Sequence, residues 1–146
     1  MELYTDDYYM NEALKEAMLA NDNGEVPIGA VVVNNKRIIG RGHNMIETLN
    51  DVTAHAEMIA ITAASEFFRN KYLAECTMYV TIEPCMMCAA AIGWAQVAKL
   101  VYGASDSKKG FTTFTNKVLH PKTVIIKDVL QRECSLILSD FFKSKR

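Results

Sequence analysis

Residues 77–105 read TMYVTIEPCMMCAAAIGWAQVAKLVYGAS. The first six alternate and are rich in β-branched and aromatic side chains, so 77–82 is a strand. Pro84 suits the first turn of a helix, which runs from about 85 to 96. AKLVYGAS, 98–105, is another strand. The last strand is TVIIKD, 123–128, and the roughly seventeen residues before it are enough for a parallel crossover and too many for a hairpin. Leu130, Cys134, Ile137, Leu138 and Phe141 then recur at helical spacing. Upstream, Thr53 is expected to cap a helix reaching Phe68, after a loop NMIETLND (44–51). PIGAVVVNNKRIIGRG (27–42) reads as two strands around an Asn34-Asn35 turn. Residues 5–20 form an amphipathic helix with Met10, Leu14, Ala17 and Met18 on one stripe and Thr5 or Asp6 as cap. A helix, two strands, then strands alternating with helices predict an α/β layered domain with helices on both faces of the sheet.

The 146 residues suit one domain, 1–146. With 50% hydrophobic and 23% charged residues and a net charge of −1, bulk charge does not announce a nucleic-acid binder. Its distribution does more. Residues 1–25 are acidic, with Lys15 the single basic residue. Residues 99–127 carry Lys99, Lys108, Lys109, Lys117, Lys122 and Lys127 against Asp106, and the tail adds Lys143, Lys145 and Arg146. These cations form either a face for an anionic partner or scattered solvated side chains. No basic start followed by an apolar core is visible, and no apolar run reaches the ~20 residues of a membrane helix. A cytoplasmic protein without membrane attachment is expected. Cys76 and Cys134 stand alone and read as small buried hydrophobes.

Cys85 and Cys88 lie three apart at a helix start, hence on one face, where the helix terminus favours thiolate. Such a pair binds zinc, works as a redox couple or packs in a core. TAHAEM, 53–58, adds His55 and Glu57 in the first turn of another helix, among small neighbours. An unpaired carboxylate is costly to bury, so Glu57 needs a purpose. Helix N-termini converge at one sheet edge in α/β folds, which brings His55, Cys85 and Cys88 to one metal. Three protein ligands leave a zinc position open for water, whose pKa the ion lowers. Glu57 is placed to carry the protons. The spacing H-x-E…P-C-x-x-C has an established association with zinc nucleobase deaminases.

GEVPIGAVVV, RGHN, DVTAHAEMIAI, MYVTIEPCMMCAAAI, LVYGASDSKKG and ECSLILSDFFKSKR together resemble the bacterial tRNA-specific adenosine deaminases, within the cytidine/deoxycytidylate deaminase superfamily. The similarity spans nearly the whole chain. It implies a cytidine-deaminase-like α-β-α fold with a five-stranded mixed sheet, a homodimer and one zinc ion per subunit. It implies conversion of adenosine to inosine at the wobble position of a tRNA anticodon loop. It also implies that His55, Cys85 and Cys88 hold zinc, that Glu57 shuttles protons, that Asn44 hydrogen-bonds the base and that Asp106 touches the RNA backbone. Asn44 is otherwise a turn residue after a strand. Lys108 and Lys109, with Phe111 and Phe114, suit phosphates and stacked bases, or form a solvated loop with two anchors. Val26 lines the pocket or packs in the core.

The chain departs from the pattern in a short 111–122 segment, FTTFTNKVLHPK, where Leu119-His120 replaces an Asn-His pair. His120 contacts RNA or caps the last strand. Trp94 belongs to packing or to a dimer interface. Two other readings share the zinc residues: a deaminase of a free base or nucleoside of guanine or cytosine type, and a non-catalytic zinc-stabilised RNA-binding module. The basic segment weighs against the first and Glu57 against the second.

Overall fold

The computed structural model describes residues 2–145; Arg146, counted above in the basic tail, lies outside them. Helix α1 (Asp6–Asp22) begins at Thr5, whose hydroxyl accepts the Tyr8 N–H, and ends before Gly24, where φ is +75°. Its buried face is Tyr9, Met10, Ala13, Ala17 and Ala20, at intervals of three and four. Met18 falls about 100° from Ala17 around the helix and is exposed, contrary to the expected stripe.

Strands β1 (Gly29–Asn34) and β2 (Arg37–His43) form a hairpin. Its tight turn is Asn35-Lys36, both at positive φ, one residue later than expected. The 44–51 segment is not all loop: α2 (Ile46–Leu49) occupies its middle. Then come α3 (Ala56–Phe68), β3 (Thr77–Ile82), α4 (Met86–Ala95), β4 (Lys99–Ala104), β5 (Val124–Ile126) and α5 (Gln131–Ser144). A single 3₁₀ turn, Phe111–Thr113, interrupts the connection to β5.

The five strands order as β2-β1-β3-β4-β5. β1 is antiparallel to β2 and to β3, while β3, β4 and β5 run parallel. Strand alternation divides the core into two layers. Ala30, Val32, Met78, Val80, Leu100 and Tyr102 face the layer of α3 and α4. Val31, Val33, Tyr79 and Val101 face that of α1 and α5. Each fully buried valine or leucine contributes about 1.5–3 kcal/mol. The fold is thus a three-layer α-β-α arrangement on a mixed sheet, as the sequence implied.

The topology decides where the site lies. β2 and β3 are both antiparallel to β1, so they point the same way, and β4 follows β3. The segments leaving β2, β3 and β4 therefore emerge at one sheet edge, where α3 and α4 begin. α3 lies very close to β2: a Cβ on Gly40 would sit 2.6 Å from the Ala60 carbonyl oxygen. Ala56, Ala60 and Ala64, all fully buried, complete this small-residue contact and fix the start of α3.

Candidate active site

His55 is the N-cap residue of α3 and Cys85 that of α4, and neither side chain makes a capping hydrogen bond. Both are aimed at each other instead. His55 Nδ1 lies 3.7 Å from Cys85 Sγ and 3.5 Å from Cys88 Sγ. The three ligand atoms all fall within 4.8 Å of one another, the one such group of three among the described residues. Two ligands about 2.3 and 2.05 Å from a tetrahedral zinc are themselves about 3.6 Å apart, so both nitrogen–sulfur distances fit a shared ion. One imidazole and two thiols are a suitable donor set for it. The Cys85 thiol is lowered to about 5, chiefly by its hydrogen bond with Cys88; that same bond pushes the Cys88 thiol up.

Glu57 follows in the first turn of α3 and is 3% exposed. Burial pushes its carboxyl up to about 7, and a negative charge on Cys85 adds to this. A group balanced between protonated and ionised forms near neutral pH suits proton transfer in both directions.

Asn44, also buried, follows β2. Its Oδ1 accepts the Ala56 N–H at 2.9 Å, so the side chain holds the start of α3 and its amide Nδ2 remains the donor. Val26 is half-buried just before β1, at the same sheet edge. Asp106 follows β4; its Oδ1 accepts the N–H groups of Lys108 and Lys109, each at 3.0 Å, and shapes the loop that carries these two exposed lysines. Phe111 is fully buried and packs edge-on to Tyr102, so it has no face free for a base; Phe114 is exposed. His120 stands apart. It precedes β5 at the opposite sheet edge, its Nδ1 accepts the Lys122 N–H at 3.1 Å, and it borders a groove with Tyr72 and Trp94.

Two buried carboxylates at the site were not anticipated. Glu25, 2% exposed, accepts the Glu47 N–H at 3.2 Å and the Thr48 N–H and hydroxyl, each at 2.7 Å. Burial pushes this carboxyl up, but the Thr48 and Glu47 donors outweigh it and hold it below the usual range. Glu83, 3% exposed, accepts the Asp106 N–H at 3.1 Å, the Thr112 N–H at 2.9 Å and the Thr112 hydroxyl at 2.7 Å. The sequence shows each acid one or two residues ahead of a proline, in EVP and EPC, but gives no sign of the donors that such a buried carboxylate needs.

The MafB19-like deaminase family matches residues 4–146. A tRNA-specific adenosine deaminase of Buchnera aphidicola (subsp. Schizaphis graminum, strain Sg) is 44% identical, with 100% of this chain and 99% of the relative covered. This chain belongs to the tRNA-specific adenosine deaminase family. A solved structure from a study of A-to-I editing by tRNA:A34 deaminases at the wobble position of transfer RNA superposes on it with a TM-score of 0.84 and 41% identity, covering 90% of this chain and 99% of that one. A guanine deaminase from Bacillus subtilis shares 36% identity and a TM-score of 0.66 over 69% of this chain and 65% of its own. The two tRNA-type relatives above thus match over more of both chains than this guanine deaminase. No helix among the described residues is long and apolar enough to cross a membrane.

Proposed function

We propose that this chain is a zinc-dependent hydrolase that converts adenosine to inosine at the wobble position of a tRNA anticodon loop. The observation that carries this reading is the joint placement of His55, Cys85 and Cys88 around one point, with buried Glu57 on the same first helical turn as His55. Full-length similarity to adenosine deaminases of tRNA selects the substrate.

His55, Cys85 and Cys88 would hold the ion, one per subunit, which supplies Lewis-acid activation of water at neutral pH. Glu57 takes a proton from the attacking water and delivers it to N1 of the adenine. It passes the water's second proton to the departing amino group. The water oxygen ends on C6 and ammonia leaves, so atoms and charge balance. Asn44 offers its amide N–H to the base while Ala56 fixes its carbonyl. Val26 borders the base, and Asp106, Lys108 and Lys109 form the loop that meets the RNA backbone. An anticodon loop presents an unpaired base that reaches the site at little unstacking cost. His120 is left with the turn before β5.

The chain works as a single deaminase domain in the cytoplasm, where its substrate is found, and pairs with a second copy. Met86, Ala90 and Trp94 form an outward stripe on α4 at intervals of four, with Trp94 83% exposed. Such a helix, apolar all round, needs a partner on its outer face. The test of the function is incubation of the zinc-loaded protein with a tRNA bearing adenosine at the wobble position, followed by sequencing for inosine. Inosine formed by the wild type and not by Glu57→Ala establishes it; deamination of guanine or cytosine in its place would move the assignment to a free-base enzyme.

A further inference from the structure

Glu83 has no part in the chemistry just described, yet it is buried and fully engaged. Its three donors all come from the 105–112 loop, across a gap of more than twenty residues. The surrounding backbone reinforces the link. Glu83 N–H donates to the Ala104 carbonyl at 2.7 Å, and Phe111 N–H to that of Pro84 at 2.9 Å. Cys85 pairs with Gly110 in an isolated antiparallel bridge. Gly110 lies so tightly on the Glu83 carboxylate that any Cβ there would collide with it. One end of this unit is the metal ligand Cys85. The other is the loop in which Asp106 shapes the backbone of Lys108 and Lys109.

We propose that Glu83 is a positioning residue that fixes the Lys108-Lys109 loop relative to the reaction centre, and so sets how the RNA backbone is gripped when the target base is in place. This rests on the tRNA reading above. A carboxylate suits the task because it offers acceptors only, and all three partners are donors. Glutamine in its place would turn an NH2 group toward one of these N–H groups and release the loop.

The experiment compares wild type, Glu83→Gln, the Lys108→Ala/Lys109→Ala pair and the triple variant. Each is assayed on an RNA hairpin with adenosine at the wobble position, over a range of salt. Metal content is measured on every sample. Glu83→Gln is expected to raise KM about tenfold, to lower the slope of log KM against log salt by about 2, and to change kcat less than twofold. In the lysine-free background the same substitution should change KM less than twofold, because the grip it supports is already gone. Thr112→Val removes one donor and should give a smaller KM effect of the same kind, and Thr112→Ser should restore wild-type behaviour. Additive effects of Glu83→Gln and the lysine pair, or a fall in kcat at unchanged KM, overturn the proposal. If Glu83→Gln does not fold, the Thr112 variants against the lysine pair decide by the same criteria. Absence of inosine from the wild-type reaction overturns the tRNA reading itself, and this assignment of Glu83 with it.

Discussion

The Asn44 side-chain oxygen accepts the backbone N–H of Ala56, 12 residues away, and so takes the capping place that His55 leaves vacant at the start of α3. The histidine is thereby released toward Cys85 and Cys88. The proposed reaction gives Asn44 two separable duties: its oxygen holds the start of α3, and its amide nitrogen would serve the base. Asn44→Asp keeps the acceptor but buries a carboxyl, so it should lose less stability than Asn44→Ala only where that carboxyl is protonated, while kcat/KM falls about 100-fold. Asn44→Ala should lose activity and also about 1–2 kcal/mol of stability. Denaturant unfolding beside steady-state kinetics checks the split.

Replacement of His55, Cys85 or Cys88 by alanine, one at a time, should each abolish bound zinc and turnover. Elemental analysis of the purified variants gives the metal stoichiometry. Glu57→Gln should retain the zinc and lose at least about 1,000-fold in kcat, since it removes only the proposed proton carrier.

In the metal-free protein, Glu57 should also leave a trace in stability against pH. Its folded pKa, about 7, lies above that of an ordinary glutamate in the unfolded chain. The native state therefore holds more protons across that window, and the Glu57 contribution to stability falls as pH rises from about 4.5 to 7. The Cys85 thiol, depressed to about 5, works in the opposite direction over part of the range. Comparison of metal-free wild type with Glu57→Gln separates the two. The glutamine variant should gain on wild type as pH rises, by up to about 3 kcal/mol, and the difference should level off above pH 7.

Trp94 is the chain's one tryptophan, so its emission reports on the outer face of α4 without labelling. Dilution below the dissociation constant of the proposed dimer should move that emission to the red. Trp94→Glu should give a monomer in sedimentation velocity, because it would place a charge at the centre of the proposed apolar contact.

The layer order and every strand were legible from residues 77–105 outward, because alternation and helical spacing are strong over such lengths. What escaped was decided by contacts distant in sequence. Thr53 reads as the natural cap of α3, but its N–H and hydroxyl are taken up by Asp51, each through Oδ1, and the helix starts two residues later at His55. A functional site here overrides local capping preference. Phe111 could be read as a stacking residue or as an anchor, because no periodicity places an aromatic in an irregular segment; the fold makes it an anchor, buried against Tyr102. His120 shares the basic region with Lys108 and Lys109 in sequence, yet the parallel crossover carries it to the other end of β4. Glu25 and Glu83 were hidden because their partners are mostly backbone N–H groups, which carry no side-chain signature.

The pairing of β1 with both β2 and β3 has a consequence for how the chain reaches its native state. His55 and Cys85 are 30 residues apart, on segments that follow strands held to either side of β1, so their meeting is expected to await the docking of β3 on β1. Ion capture is therefore expected to follow the slow, non-local part of assembly instead of nucleating it. Zinc should leave the refolding rate nearly unchanged and act almost wholly as a brake on unfolding, a kinetic lock fitted after the structure has closed.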